Sequence, residues 1–127
     1  MSTTNYKRLT VALGVVCIGL LILCSCLFWS YGSLMTQVAF ASEQTQIFEQ
    51  SRVQALQCDV AGTAGCLEYV VHYYPSGSKQ ETGSRLDGIV EHERAVAERA
   101  IIAYLRTKTG QDLGETPEPW IQQYAKR

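Results

Sequence analysis

The chain has 127 residues, a formal net charge of −1 and 46% hydrophobic residues, which leaves room for one small domain at most. Its apolar residues are concentrated near one end: Leu9–Ser42 holds no Asp, Glu, Lys or Arg, and the remainder is an ordinary, mildly acidic polypeptide. That balance argues against a nucleic-acid partner, which rewards clustered positive charge.

Residues 1–8 read as a short cytoplasmic N-terminus carrying Lys7 and Arg8. Residues 9–31 then give 23 almost entirely apolar positions with no polar stripe. As a helix they span roughly 34 Å, enough to cross a hydrocarbon core of about 30 Å and to hold the chain in membrane lipid. The cations before the span, with no acid beside them, predict an N-terminus inside and the rest outside the cytoplasmic membrane. Trp29 and Tyr31 fall near the outer end, where amphipathic rings favour the interface. All twelve acids and nine of the eleven Lys and Arg follow residue 42, so the exported part is net negative.

Two processing alternatives stand beside this signal-anchor reading. Ala39-Phe40-Ala41 before Ser42 matches the A-x-A pattern of signal-peptidase cleavage, although the apolar run exceeds the 7–15 residues usual for such segments. Leu23-Cys24-Ser25-Cys26 resembles a lipobox with Cys26 acylated, but Leu27-Phe28-Trp29 continues the apolar run. All three readings export the same C-terminal part.

Residues 32–57 form an expected juxtamembrane helix. Val38–Gln57 has no Pro or Gly and is rich in helix formers, with a modest apolar stripe of Phe40, Ile47, Phe48, Val53 and Leu56. Cys58 and Cys66 then straddle what reads as a glycine-containing turn. In an oxidising compartment this spacing predicts a disulfide, and closing the nine-residue loop would stabilise the fold by about 2.5 kcal/mol. Cys17, Cys24 and Cys26 read as apolar filler within the span.

Leu67–Tyr74 is β-rich by propensity, but no second strand is visible to pair with it, so helix is the favoured reading. Pro75-Ser76-Gly77 ends it, and residues 76–84 form a loop. Ser84-Arg85-Leu86-Asp87 then resembles a capping box opening a long helix. Leu86, Ile89, Val90, Val96, Ala97, Ala100, Ile101, Tyr104 and Leu105 form its apolar face, whereas Glu91, Arg94, Glu98 and Arg99 read as a solvated charged face. Gly110 ends the helix behind Arg106 and Lys108. Thr116 and Pro117 open a last short helix whose Trp120, Ile121 and Tyr124 can pack on the long one. The expected organisation is thus all-α, with residues 58–127 a small extracytoplasmic helical domain.

No catalytic set emerges. Ser76-Gly77-Ser78-Lys79 matches S-x-x-K and Lys108-Thr109-Gly110 matches K-T-G, the motifs of serine β-lactamases. Here the serine lies in a Pro-Gly loop, the second motif ends a helix, and no S-D-N element intervenes. His72 can share a face with Glu68, and His92 lies between Glu91 and Glu93, but neither group supplies the three or four ligands a metal needs. No cofactor-binding motif is present, and no glycine-rich phosphate loop. Tyr73, Tyr74, Trp120 and Tyr124 form a candidate interaction surface, with a small core built from large rings as the competing account.

The stretches Tyr73–Gln80, Gly83–Asp87 with Ile89-Val90-Glu91, and Ile102–Gly110 with Asp112-Leu113-Gly114 and Pro119-Trp120-Ile121, resemble short single-pass membrane proteins of planctomycete-type bacteria. The closing Leu-x-x-x-Thr-Gly-x-Asp-Leu-Gly run also resembles helix-pair endings in helical-repeat proteins of such bacteria. The resemblance covers about 50 residues and implies a helical C-terminal domain, with no activity to carry over. Pro119 departs from the pattern, which has Glu or Ala there. The expectation is a membrane-anchored module contacting an unidentified protein partner. The alternatives are a small ligand-binding or enzymatic domain, or a lipoprotein form acylated at Cys26.

Overall fold

The computed structural model describes residues 3–125, and these are all-α, without a strand. The helices are α1 (Thr3–Ala55), α2 (Val60–His72), α3 (Arg85–Thr109) and α4 (Pro117–Tyr124). Two compact units divide the chain, Met1–Thr36 and Gln37–Arg127.

The first unit is the apolar part of α1. Among the described residues, α1 is the one helix long and apolar enough to cross a membrane. Its Leu13, Leu21, Leu27, Phe28 and Trp29 all stand more than half exposed, so most of their apolar surface is left uncovered. A run of such side chains left in water forgoes about 1.5–3 kcal/mol each relative to burial, which a hydrocarbon surrounding restores.

In the second unit, the C-terminal part of α1 contributes Ala41, Gln44, Phe48, Ser51 and Ala55 to the interior, steps of three and four along one face. This seam differs from the apolar stripe that the sequence suggests. Phe48 is common to both, but Val53 and Leu56 are exposed. Thr63, itself fully buried, bridges the α1–α2 junction: its hydroxyl lies 2.8 Å from the Ala55 carbonyl and 2.9 Å from that of Asp59.

The expected turn at 58–66 is mostly helix. Asp59 is the N-cap of α2, accepting from the Gly62 amide at 2.8 Å and so satisfying an otherwise orphaned donor. Gly62 is needed there, since a Cβ would come within 2.9 Å of the Asp59 carboxylate and 3.0 Å of Cys58 Cβ. Cys58 and Cys66 are free thiols, not the expected disulfide. The region 67–74 is helical through His72.

α3 begins at Ser84, whose hydroxyl accepts from the Asp87 amide at 3.2 Å, and ends at Gly110 in the left-handed region (φ 68°). Its buried face runs Asp87, Val90, Arg94, Ala97, Ile101, Ile102 and Leu105. Ile89, expected inside, is exposed, and Arg94, expected on the solvated face, is inside. α4 packs chiefly on α2. Trp120 is completely buried, and its indole N–H donates to the Gly114 carbonyl at 3.0 Å. It therefore belongs to the core and is unavailable as an interaction surface.

Candidate functional site

The C-terminal end of α2 gathers most of the domain's aromatic residues. Helical spacing places Tyr69 and Tyr73 on one side, with ring centroids 5.1 Å apart. Tyr73 stands edge-on to Phe48 of α1 at 6.1 Å and to Tyr74 at 4.8 Å. Edge-to-face contacts of this kind add about 0.5–1.5 kcal/mol beyond area burial. Burial, then the neighbouring charges of Tyr69, Glu43 and Tyr74, pushes the Tyr73 phenol above its ordinary range.

Tyr74 has φ 41°, the one described non-glycine residue with positive φ. It occupies the position just past the helix cap where glycine is usual, and a bulky residue there stores strain of about 1–3 kcal/mol. The surroundings hold it in place. Arg94 Nη2 donates to the Tyr74 carbonyl at 2.6 Å, while Nη1 donates to the carbonyls of Val70 at 2.6 Å and Val71 at 3.4 Å. One guanidinium thus satisfies carbonyls that the helix end leaves without amide partners. It also pairs with Glu91 at 3.1 Å and lies over the Phe48 ring at 4.7 Å. On the other side, the Lys79 ammonium is 4.3 Å from the ring centroids of both Phe40 and Tyr74.

The loop between α2 and α3 is fixed by Asp87. Its carboxylate accepts from the Ser76 hydroxyl at 2.6 Å, the Gly83 amide at 2.9 Å and the Gly77 amide at 3.2 Å. The Ser76 bond, then that from Gly83, holds this carboxyl below the usual range. Asp87 thus organises the loop instead of returning a bond to Ser84. Ser76 is committed to that carboxylate and Lys79 to two rings, an arrangement unlike a nucleophile with its activating lysine. The buried Gln80 side chain donates to Gln44 of α1 at 2.7 Å, closing the loop onto the seam.

These supports shape a surface groove of about 780 Å³, lined by Glu68, Tyr69, His72, Tyr73, Tyr74 and Pro75. Tyr69 is 49% and Tyr74 43% exposed. His72 Nδ1 lies 2.9 Å from the Glu68 backbone carbonyl, an acceptor to which this nitrogen donates. Among the described residues, no three His, Cys, Asp or Glu side chains converge as metal ligands. A second groove of about 470 Å³ lies on the other side of Tyr69, between α1 and α2, where Cys66 and Gln54 help line it.

Of the four residues expected to form one interaction surface, the structure brings Tyr73 and Tyr74 to this groove. Tyr124 lies elsewhere, stacked on Trp120 at 6.2 Å, with its hydroxyl bonded to Gln111 at 2.5 Å. Tyr69 is the contributor that sequence spacing offered, four residues before Tyr73, and the expected surface omitted. Comparison with family models, with curated proteins and with solved structures finds no match to this chain.

Proposed function

We propose that this protein is a non-enzymatic, single-pass module of the cytoplasmic membrane whose exported helical domain binds a protein partner through the Tyr69–Tyr74 groove. The observation carrying this reading is the display of Tyr69 and Tyr74, half exposed, beside a backbone held at positive φ by Arg94. A small domain gains little for its own core by straining a residue whose side chain stays half exposed. Exposed tyrosines on a rigid support suit a protein interface, where they add contact area at low entropic cost. The orientation rests on Lys7 and Arg8 flanking the span, which favour an N-terminus inside.

The test is photo-crosslinking in intact cells, with a benzophenone amino acid at Tyr69 and, as control, at exposed Ile89 on α3. A discrete protein adduct from position 69 and none from position 89 supports the proposal. Lipid adducts alone, or the same adducts from both positions, refute it. A periplasm-dependent reporter fused after Arg127 tests the orientation separately, and activity confined to the cytoplasm would overturn it.

A second reading is favoured by the groove volume, which falls within the range of small-ligand sites, and by His72 sharing that groove with the tyrosines. A ligand site, however, encloses most of its ligand, whereas two of the walls here are half exposed. Saturable quenching of tyrosine fluorescence by a small molecule, lost on Tyr69→Ala, would favour the ligand.

A further inference from the structure

We infer that Cys58 and Cys66 are a redox-active dithiol that closes to an intramolecular disulfide without unfolding the domain. The placement carries the inference. Cys58 lies just before the Asp59 cap, and its Cβ and Sγ would be 3.0 and 3.4 Å from a Cβ at position 62. Its side chain therefore lies on the face of α2 that carries Gly62. Cys66 is four residues further along that helix, on the same face. Gly62, having no side chain, leaves open the path between the two sulfurs. Both cysteines are half-buried, so a small reagent has access to them. Burial first, then the neighbouring Cys58, pushes the Cys66 thiol up. Cys17, Cys24 and Cys26 belong to the first unit, on the apolar part of α1, and are also free thiols.

The chemistry is exchange with a small-molecule or protein disulfide. Either cysteine can open the exchange; when Cys58 does, it loses its proton and displaces one donor thiolate, leaving a mixed disulfide. Cys66 then loses its proton and attacks Cys58 Sγ, expelling the second donor thiolate. The two protein protons end on the two donor thiols, and the two electrons lost by the protein reduce the donor. The product ties the α1–α2 connection to the helix face lining the second groove, beside Tyr69. This inference does not depend on partner capture, so the two can fail separately.

The full chain in detergent micelles is equilibrated with oxidised glutathione, blocked with N-ethylmaleimide and digested with trypsin. One fragment, Val53–Lys79, carries both cysteines, while Cys17, Cys24 and Cys26 fall in Leu9–Arg52. The expected result is a Val53–Lys79 fragment lighter than its reduced form by about 2 Da, free of maleimide and restored by dithiothreitol. Trp120 fluorescence and far-ultraviolet circular dichroism should be unchanged by oxidation. Cys58→Ser and Cys66→Ser should each trap glutathione on the remaining thiol. A fragment carrying two maleimides or two glutathiones overturns the inference, as does closure that occurs only in urea.

Discussion

Replacing Arg94 by Met keeps a long apolar stem over Phe48 while removing every donor. Arg94 is 6% exposed, and its guanidinium serves the carbonyls of Val70 and Tyr74, each at 2.6 Å, with Val71 at a longer reach. A hydrogen bond to a charged group contributes about 1.5–3 kcal/mol, and a buried carbonyl left without a donor costs a similar amount. The Glu91 contact adds less than about 1 kcal/mol because that carboxylate is over one-third exposed. Removing the charge also recovers part of its desolvation cost. The net loss should be about 3–4 kcal/mol, a large share of the 5–15 kcal/mol typical of a small domain. In a Trp29→Phe background, Trp120 fluorescence reports unfolding of the domain alone. The urea midpoint should fall by roughly 2 M at a slope near 1.5 kcal/mol/M. Arg52→Met removes an exposed pair with Glu49 and should leave the urea midpoint nearly unchanged. Equal losses for the two variants would refute the view that Arg94 holds the end of α2 together.

Asp87→Asn places an amide where a carboxylate accepts from Ser76 and Gly83, and should cost about 2–3 kcal/mol at neutral pH. The native carboxyl titrates below its unfolded value, so its contribution is complete above pH ~4 and is lost as pH falls through the lowered pKa. Acid titration of stability should therefore be steeper below about pH 4 for the native chain than for Asp87→Asn; parallel curves would remove the basis for this assignment. Gly77→Ala combines φ 80° with a Cβ that collides with the Thr82 hydroxyl, and should cost about 1–3 kcal/mol by thermal melting. Thr82→Ala on top should recover the collision part and leave the backbone strain; no recovery would mean the collision is relieved some other way.

The elements legible in the sequence were those whose signals are local. Ser84 and Gly110 bracket α3 because a hydroxyl acceptor and a left-handed glycine act within one turn. The apolar run of α1 needs only composition. What the sequence hid depends on partners far along the chain. Asp87 in first-turn position suggested a capping box, yet its oxygens are taken by a loop ten residues away. Arg94 looked like one member of a charged face because nothing local reveals that the end of α2 lies beneath it. The start of α2 was masked by Gly62 and Gly65, residues that weaken helix propensity, although Asp59 followed by an unobstructed position 62 is a cap signal. The α1 seam was missed because Ala, Gln and Ser fill most of it.

That seam bears on how the chain is processed. The folded unit begins at Gln37, ahead of Ala39-Phe40-Ala41, and Ala41 is only 5% exposed. A peptidase that recognises A-x-A needs an extended substrate, but here the motif is wound into α1. Scission there would strip Ala41 from the interior and take Phe40 from under Lys79. Cleavage after Ala41 and a finished domain are thus in direct competition, because winding of α1 withdraws the very segment a peptidase would have to hold extended.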